Sequence, residues 1–447
     1  MLQKYLDPLL HLLEIKSVST QKGYASEMQK ARHYLGDLFS SLGFETKILK
    51  GKKHDAMFAQ LITNHLLPTI LIYGHYDVQP PDPLDEWKTD PFKPAIKDGK
   101  IWARGATDNK GQFMIHVMAV KRLLETSNKL QVNFKFIIEG EEEIGSISIS
   151  DLARKYSKNL FICDYIFVSD SEMIAKGAPS IDISLRGLVY TEIFLEGASH
   201  DLHSGQFGGV AQNPANILSF LISQLKDQKG HIMIPGFYDE VISPTKDELK
   251  DYSVIKTTDK ILIKEGGFYK IGGGEAKFSL NERRWSRPTL DVNGMTSGYQ
   301  GEGSKTIIPA SSSAKISMRL VPNQNPDKIF SIFSSYVKKL VPKGIKIKIV
   351  QHADSLPYKA DTTSPVFDLV KESLKKFFGT GPVFAGVGGT IGFVPTMALA
   401  LKVPVIMVGF GLPDENLHAP NEHIDLENYF KGIEAMSYFY KNLPKIA

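Results

Sequence analysis

The chain has 447 residues, more than a single hydrophobic core usually spans, so its length predicts two domains. Hydrophobic residues make up 42% and charged residues 23% of the chain, which is typical of a globular protein in water. The 53 basic and 49 acidic residues leave a net charge of +4, which gives no indication of nucleic acid or an anionic membrane as a partner.

Cysteine content and hydropathy predict a cytoplasmic protein without a membrane span. The single cysteine, Cys163, excludes an intrachain disulfide and fits a reducing compartment. Residues 1–13 have the leucine spacing of an amphipathic helix, with Asp7 and Pro8 among them, and lack the features of a signal peptide. The most apolar window, 393–412, is interrupted by two prolines and a lysine, so we expect no membrane span.

Strands and helices alternate over the first 170 residues, which predicts a layered, mostly parallel α/β sheet. The predicted helices are 25–42 and 110–126, and the predicted strands are 44–49, 56–62, the run of apolar residues that ends at Gly74, 132–138 and 165–169. The strand before Gly74 is apolar on both faces, which indicates a central position in the sheet.

The pattern changes after residue 180. A long alternating strand or hairpin is predicted at 181–195, and helices begin at the Asn-Pro pairs 213–214 and 325–326. With strands at 314–321 and 345–351 they suggest a ferredoxin-like α+β sheet, interrupted by a poorly periodic region at 231–304. The α/β pattern resumes at residue 364 with a helix, a glycine-rich turn, a second helix and a strand at 403–408. We therefore predict a split catalytic domain, 1–183 and 355–447, with an inserted lid and dimerisation domain, 184–354.

Acidic and imidazole side chains follow the predicted strands of the split domain, where an open α/β sheet usually presents its functional groups. These side chains belong to His75, Asp108, Glu142, Glu143, Asp170 and His418. Two histidines with three carboxylates suit zinc, and five ligands with one shared carboxylate suit two metal ions about 3.5–4 Å apart. The remaining glutamate could serve as the general base beside an attacking water.

Simpler interpretations exist for each of these residues taken alone. Asp108 could cap a helix, residues 141–143 could form a solvated acidic turn, and His418 could lie in a surface loop. Their joint position at successive strand ends favours the metal site. A nucleotide-binding protein is a competing class, since residues 298–306 nearly spell a phosphate loop. That segment is one residue too long and no helix is predicted to follow it.

Four blocks of sequence give the chain a family resemblance. They are Gly-His-Tyr-Asp-Val-Gln-Pro at 74–80, Arg-Gly-Ala-Thr-Asp-Asn-Lys-Gly at 104–111, the acidic turn 139–146, and Asp-Leu-His-Ser-Gly at 201–205. In these blocks the chain resembles the dinuclear zinc peptidases of clan MH, the family of carnosinase, cytosolic non-specific dipeptidase, aminoacylase and acetylornithine deacetylase. The likeness is greatest to the dipeptidase branch.

The resemblance implies a ligand set for two divalent metal ions. His75 and Asp170 would hold one ion, Glu143 and His418 the other, and Asp108 would bridge both. Zinc is the expected metal, with manganese and cobalt as alternatives.

The resemblance also implies catalytic roles. Asp77 would orient the first histidine ligand, and Glu142 would deprotonate a water that bridges the metals. The acidic triplet makes this assignment depend on register, because Glu141 is acidic where many relatives are neutral. His203 would stabilise the oxyanion from the partner subunit of a homodimer.

Substrate binding would fall to a further set of residues. Arg319 would bind the C-terminal carboxylate of the substrate together with Thr306 and Asn293, since a guanidinium can hold a carboxylate with two hydrogen bonds. The glycine-rich turn, including Gly389 and Thr390, would supply backbone donors.

The activity implied by the resemblance is that of a hydrolase, a metallopeptidase of the dipeptidase or carboxypeptidase type. It would cleave dipeptides or short peptides that have a free C-terminal carboxylate. The alternative is an N-acyl amino acid amidohydrolase that uses the same metals. A binding module without activity is disfavoured, because every inferred ligand and the base are present.

Overall fold

The computed structural model describes residues 2–127 and 129–446. The helices are α1 Gln3–Leu13, α2 Ala25–Ser41, α3 Lys110–Thr126, α4 Ile149–Tyr156, α5 Ser204–Phe207, α6 Pro214–Leu225, α7 Lys246–Val254, α8 Asp259–Gly266, α9 Leu280–Trp285, α10 Pro326–Leu340, α11 Val366–Phe378, α12 Phe393–Leu401 and α13 Leu426–Asn442. In the part of the chain that the structure describes, none of them has the length and apolar character needed to cross a membrane.

The strands have between two and ten residues. They are β1 Glu45–Leu49, β2 Ala56–Leu61, β3 Thr69–His75, β4 Ala95–Lys97, β5 Lys100–Trp102, β6 Asn133–Glu139, β7 Tyr165–Val168, β8 Ser180–Leu185, β9 Gly187–Glu196, β10 Leu202–His203, β11 Thr289–Ser297, β12 Ile307–Ile308, β13 Ser311–Leu320, β14 Lys346–Ser355, β15 Tyr358–Lys359, β16 Val383–Val387, β17 Val405–Met407 and β18 His423–Asp425.

The chain divides into two compact units, of which the first comprises Met1–Ile183, Ala360–Ala385 and Ile391–Ala447. The main sheet, most of whose strands lie in this unit, has the order β1-β2-β6-β3-β7-β17-β8-β15, and β16 also pairs with β8. The central strands β6, β3, β7 and β17 are parallel, whereas β1, β2 and β8 pair antiparallel with their neighbours. The α/β class is confirmed, but the sheet is mixed rather than mostly parallel. The reason is that β1 and β2 are joined by a short turn, and parallel neighbours need a crossover of a dozen or more residues.

Strand β3 lies at the centre of this sheet and positions the candidate site. Its residues from Ile70 to His75 are buried, and helix α3 packs on it between the sheet and α13. Because β6, β3 and β7 run in the same direction, their carboxyl ends meet at one edge of the sheet. The turns that follow these three strands therefore bring their side chains together.

The second unit comprises Ser184–Lys359 and Gly386–Thr390. Its antiparallel sheet has the order β11-β13-β9-β14, and the chain runs β9-α6-β11-β13-α10-β14. This is the β-α-β-β-α-β order predicted for the insert. The helices bury one face of the sheet, with Leu218 and Phe333 packed against Val189 and Ile316. The domain boundaries at 183/184 and 354/355, and the role of the insert as a lid and dimerisation domain, stay predictions.

Two features of the second half were not predicted correctly. The segment predicted as one strand or hairpin at 181–195 forms two strands in different sheets, β8 and β9, separated by Arg186. Strand β8 is buried throughout, whereas β9 alternates because helices cover only one face of its sheet. The poorly periodic region contains α7, α8, α9 and β11. Strand β11 is polar and largely exposed, which leaves little hydrophobic pattern to recognise.

Candidate metal centre

His75 is the last residue of β3, and its side chain is fully buried. Its Nδ1 atom lies 3.0 Å from the backbone oxygen of Asp77 and 3.4 Å from the Asp77 carboxylate. An Nδ1–H that donates to these oxygens leaves the Nε2 lone pair facing the site. The Asp77 carboxylate also accepts hydrogen bonds from the backbone amides of Glu142 and Glu143, at 3.3 and 3.1 Å. Asp77 therefore orders both the histidine ring and the acidic turn.

Asp108 stands between two histidines. Its Oδ1 atom is 3.1 Å from Nε2 of His75, and its Oδ2 atom is 2.9 Å from Nε2 of His418. Asp170 lies 3.6 Å from the same nitrogen of His75, and Glu143 lies 3.5 Å from that of His418. Each of these two trios has its donor atoms within 4.8 Å of one another. The structure thus brings five predicted ligands together in two groups that share Asp108, and their use as ligands stays a prediction.

The electrostatics of the groups fit a cation. Burial raises the pKa of Glu142, of Asp170 and of Glu143, the last to about 8, and the neighbouring carboxylates add to each shift. The buried Oε1 atom of Glu143 has no hydrogen-bond partner among the described residues. Imidazole nitrogens and carboxylate oxygens are ligands that zinc accepts. A divalent ion at each group would neutralise the buried negative charge, so the residues present fit a pair of metal ions.

Glu141 does not belong to this cluster. Its Oε1 atom accepts hydrogen bonds from the backbone amides of Lys53 and His54, at 2.6 and 2.8 Å. These bonds turn the side chain towards the β1–β2 connection. Of the three consecutive glutamates, Glu142 and Glu143 are the two grouped with His75.

Two amide side chains support the ligands and were not assigned a role from the sequence. The Nδ2 atom of Asn109 donates to Asp170 at 2.7 Å, and its Oδ1 atom accepts from the backbone amide of His75 at 3.3 Å. Gln79 donates to Glu143 at 2.7 Å. The available signal was their position in the same sequence blocks as predicted ligands.

Glu422 is a third supporting residue. Its buried carboxylate accepts hydrogen bonds from the backbone amides of Gly105, Thr107 and Asp108, at 2.8 to 3.0 Å. It also pairs with the buried guanidinium of Arg104 at 2.8 Å. The segment that carries His418 is thereby tied to the loop that carries Asp108. Nothing in the local sequence indicates this contact.

Several of the predicted substrate-binding residues meet in the second unit. The Nη1 atom of Arg319 donates to Oγ1 of Thr390 at 2.9 Å, and that hydroxyl donates to the backbone oxygen of Arg186 at 2.5 Å. The backbone amide of Arg186 donates to the oxygen of Gly389 at 3.2 Å. Because the Thr390 hydroxyl donates its hydrogen bond to the backbone oxygen of Arg186, the hydroxyl oxygen can accept one from Arg319. The hydroxyl therefore helps to set the orientation of the Arg319 guanidinium.

His203 and Thr306 form another group in this unit, where β10 pairs with β12. The exposed ring of His203 accepts a hydrogen bond at Nδ1 from the amide of Gly205 at 3.0 Å, and Ser204 bonds to the backbone oxygen of Thr306 at 3.1 Å. The proton of the neutral imidazole therefore lies on Nε2, which becomes a donor. Asn293 is exposed at a bulge in β11.

A mixed α/β sheet whose edge holds an aspartate between two histidine–carboxylate groups is a framework that can bind metal ions. Residues 71–442 match the model of Peptidase family M20/M25/M40, and the chain belongs to this family of metallopeptidases.

Curated relatives and solved structures agree with this membership. The chain is 31% identical over 400 residues to the human Beta-Ala-His dipeptidase, covering 87% of this chain and 78% of that protein. It is 33% identical over 387 residues to the Cys-Gly metallodipeptidase dug1 of Schizosaccharomyces pombe, covering 85% and 80%. The crystal structure of the M20 family metallo-carboxypeptidase Sso-CP2 from Sulfolobus solfataricus superposes with a TM-score of 0.89, at 35% identity and 99% coverage of both chains.

Proposed function

We propose that the chain is a metal-dependent dipeptidase that hydrolyses dipeptides or short peptides with a free C-terminal carboxylate. The single observation that carries the proposal is Asp108, whose two carboxylate oxygens face two different histidine–carboxylate groups. The substrate class comes from relatives named Beta-Ala-His dipeptidase, Cys-Gly metallodipeptidase and metallo-carboxypeptidase.

The proposed metal ligands are His75 and Asp170 for one ion, Glu143 and His418 for the other, and Asp108 for both. Zinc is the proposed metal, with manganese or cobalt as substitutes. Two such ions, when bound, supply the Lewis acidity that polarises the scissile carbonyl and acidifies the attacking water.

Glu142 is the proposed general base. It would accept the proton of the attacking water at its carboxylate and pass a proton to the leaving amine. Burial among other carboxylates raises the pKa of Glu142, which favours proton acceptance. Asp77 would position both His75 and Glu142, because it bonds to the His75 ring and to the backbone amide of Glu142.

Arg319 is the proposed anchor for the free carboxylate of the substrate. Thr390 supports this role, since its hydroxyl bonds to one guanidinium nitrogen and leaves other N–H groups to bind a carboxylate. Gly389 of the same turn, and Thr306 and Asn293 elsewhere in the unit, are proposed as further contacts.

His203 is the proposed oxyanion donor, supplied across a homodimer by the second unit of the partner. Two observations support this role. The hydrogen bond from Gly205 to Nδ1 leaves Nε2–H free to donate. The turn just after His203 also exposes apolar side chains, with Phe207 at 41% and Val210 at 82% of full exposure, as an association surface would. A cytoplasmic location stays a prediction.

The proposal is tested with metal-depleted protein that is reloaded with Zn²⁺, Mn²⁺ or Co²⁺. Release of free amino acid is measured on dipeptides, tripeptides, C-terminally amidated dipeptides and N-acetyl amino acids. We expect metal-dependent cleavage of dipeptides and poor cleavage of the amides. Efficient turnover of N-acetyl amino acids without cleavage of dipeptides would identify the amidohydrolase alternative instead. Full activity in the metal-free protein would exclude both.

A further inference from the structure

Two arginines of the second unit face the same loop, 386–390. Arg186 donates from Nε to the backbone oxygen of Gly388 at 2.8 Å, and Arg319 donates from Nη1 to Thr390 at 2.9 Å. Among the described residues, neither guanidinium takes part in a salt bridge. Each guanidinium has five N–H donors, so most of this hydrogen-bonding capacity is not used by these contacts.

The positive charges of these arginines also act on each other. Burial lowers the pKa of Arg186 to about 10, and the positive charge of Arg319 contributes to the shift. Burial likewise lowers the pKa of Arg319. Asp291 opposes the shift at Arg186, but it is exposed and lies 3.5 Å from the ammonium group of Lys226. Two half-buried cations held together in this way would gain stability from a bound anion with two negative charges.

The backbone sets the separation of the two side chains. Arg319 on β13 lies opposite Leu188 on β9 in the antiparallel register, and Arg186 precedes Leu188 by two residues. The Thr390 hydroxyl accepts from Arg319 and donates to the backbone oxygen of Arg186, so one side chain joins the two residues. One amino acid that has both an α-carboxylate and a side-chain carboxylate would therefore suit the pair.

We propose that Arg186 forms a second carboxylate subsite beside Arg319, which selects peptides whose C-terminal residue is glutamate or aspartate. The inference rests on the proposed function, in which Arg319 binds the C-terminal carboxylate. Arg186 then binds the acidic side chain of the same residue. A site with buried polar groups discriminates against an analogue that leaves them unpaired, so the neutral amides are disfavoured.

The test compares kcat/KM for Ala-Glu and Ala-Gln, which are nearly isosteric. Wild type should favour Ala-Glu by about 10-fold or more, mainly through KM, as expected for a charge-assisted hydrogen bond. Arg186→Gln should bring the ratio close to one, and Arg186→Lys should restore part of the preference. Since Arg186 also holds the loop through Gly388, its loss is expected to lower turnover of both peptides, and the ratio is the readout.

Thr390→Val is the matched control for loop damage. It removes the hydroxyl bonds to Arg319 and to the backbone of Arg186 without removing a charge, so kcat/KM should fall for both peptides while their ratio stays as in wild type. A wild-type ratio near one, or a preference that survives in Arg186→Gln, would overturn the second subsite.

Binding of free L-glutamate and L-glutamine, measured by calorimetry on the metal-loaded protein, separates this inference from the proposed function. If no dipeptide is cleaved but glutamate binds more tightly than glutamine in an Arg186-dependent manner, the dipeptidase proposal fails and the subsite stands. If dipeptides are cleaved and glutamate has no advantage in either assay, the subsite fails and the dipeptidase proposal stands.

Discussion

Glu422 accepts, through Oε1, a hydrogen bond of 3.0 Å from the backbone amide of Asp108. The same oxygen accepts from Thr107 at 3.0 Å, and Oε2 accepts from Gly105 and from the guanidinium of Arg104, both at 2.8 Å. One buried carboxylate thus fixes the loop that presents the shared aspartate. Residues of this kind hold a ligand in place without contacting the metal.

Glu422→Gln should weaken metal binding. The new glutamine has an NH2 group in place of one carboxylate oxygen. In either orientation this NH2 group faces a backbone N–H or the Arg104 guanidinium, so the loop that presents Asp108 loses an acceptor. We expect metal affinity to fall by about 10–100-fold, measured by competition with a chromophoric chelator. Glu427→Gln is the control, because Glu427 is exposed and makes surface ion pairs with Lys176 and Lys431. Equal affinity in wild type and Glu422→Gln would show that Glu422 does not position the metal site.

Glu142→Gln should separate the general base from the metal ligands. The change keeps the size of the side chain and removes the proton acceptor, so kcat should fall by about 10²–10⁴-fold while metal content stays near that of wild type. Glu143→Gln should instead lose metal, since Glu143 lies 3.5 Å from the ring of His418. Metal content and kcat are measured on the same preparations. If the two variants exchange these phenotypes, the roles of the two glutamates are reversed.

Amidation of the C-terminal carboxylate should impair turnover through Arg319. Loss of the anion leaves the guanidinium unpaired, and a charge-assisted hydrogen bond is worth roughly 10–100-fold in kcat/KM. Arg319→Gln should reduce cleavage of the free dipeptide and bring it close to that of the amide. Comparable kcat/KM for a dipeptide and its amide in wild type would rule out an anchoring role for Arg319.

Mixed subunits should reveal whether His203 acts across a dimer. His203→Ala and Glu142→Gln should each be nearly inactive, since an oxyanion donor is typically worth about 10²–10³ in kcat. In a heterodimer whose sites combine residues from both chains, one site carries both lesions and the other carries neither, so activity should return after subunit exchange. Exchange is followed with differently tagged chains. Exchanged but inactive mixtures would mean that His203 does not act across the interface.

Because of His116, the free energy of unfolding should depend on pH under acidic conditions. It is fully buried between Tyr440 and Ser169, and burial lowers its pKa from 6.5 to about 3. Between these values the unfolded chain binds more protons than the folded one, so the free energy of unfolding decreases as pH falls. The contribution of one such group is roughly 1.4 kcal/mol per pH unit.

The measurement is the free energy of unfolding in urea from pH 7 to pH 4, on metal-free protein. His116→Gln should show a shallower decrease with falling pH than wild type. His11→Gln is the control, since the His11 side chain is 58% exposed. A pH dependence unaltered in His116→Gln would contradict the assignment.

The local sequence was sufficient for the elements that carry the proposed metal ligands. The apolar run of β3 and the breakers after it predicted a central strand that ends near His75, and helix α3 begins at Lys110 as predicted. Because β6, β3 and β7 are parallel, their carboxyl ends lie at the same edge of the sheet, and Asp170 after β7 comes beside His75 at the end of β3. These features follow from the spacing of hydrophobic residues and from the residues that form turns, and both are properties of a few neighbouring residues in the sequence.

Other features depended on contacts between segments far apart in the chain. The choice of Glu142 and Glu143 over Glu141 depended on register, because three consecutive glutamates are chemically alike. In the structure the amides of Lys53 and His54 turn Glu141 aside. The outer strands of the sheet, and the polar edge strand β11, carry too little local pattern to reveal how they pair.

By itself, then, the sequence determined which side chains stand at the ends of the central strands, because strand and helix periods are local properties. Only the tertiary structure decided that Glu422 holds the loop of Asp108 and that Arg186 lies beside Arg319. The hydrogen-bond partners of a buried carboxylate or guanidinium are the groups that the fold brings within about 3 Å. The spacing of residues along the chain does not show which groups these are.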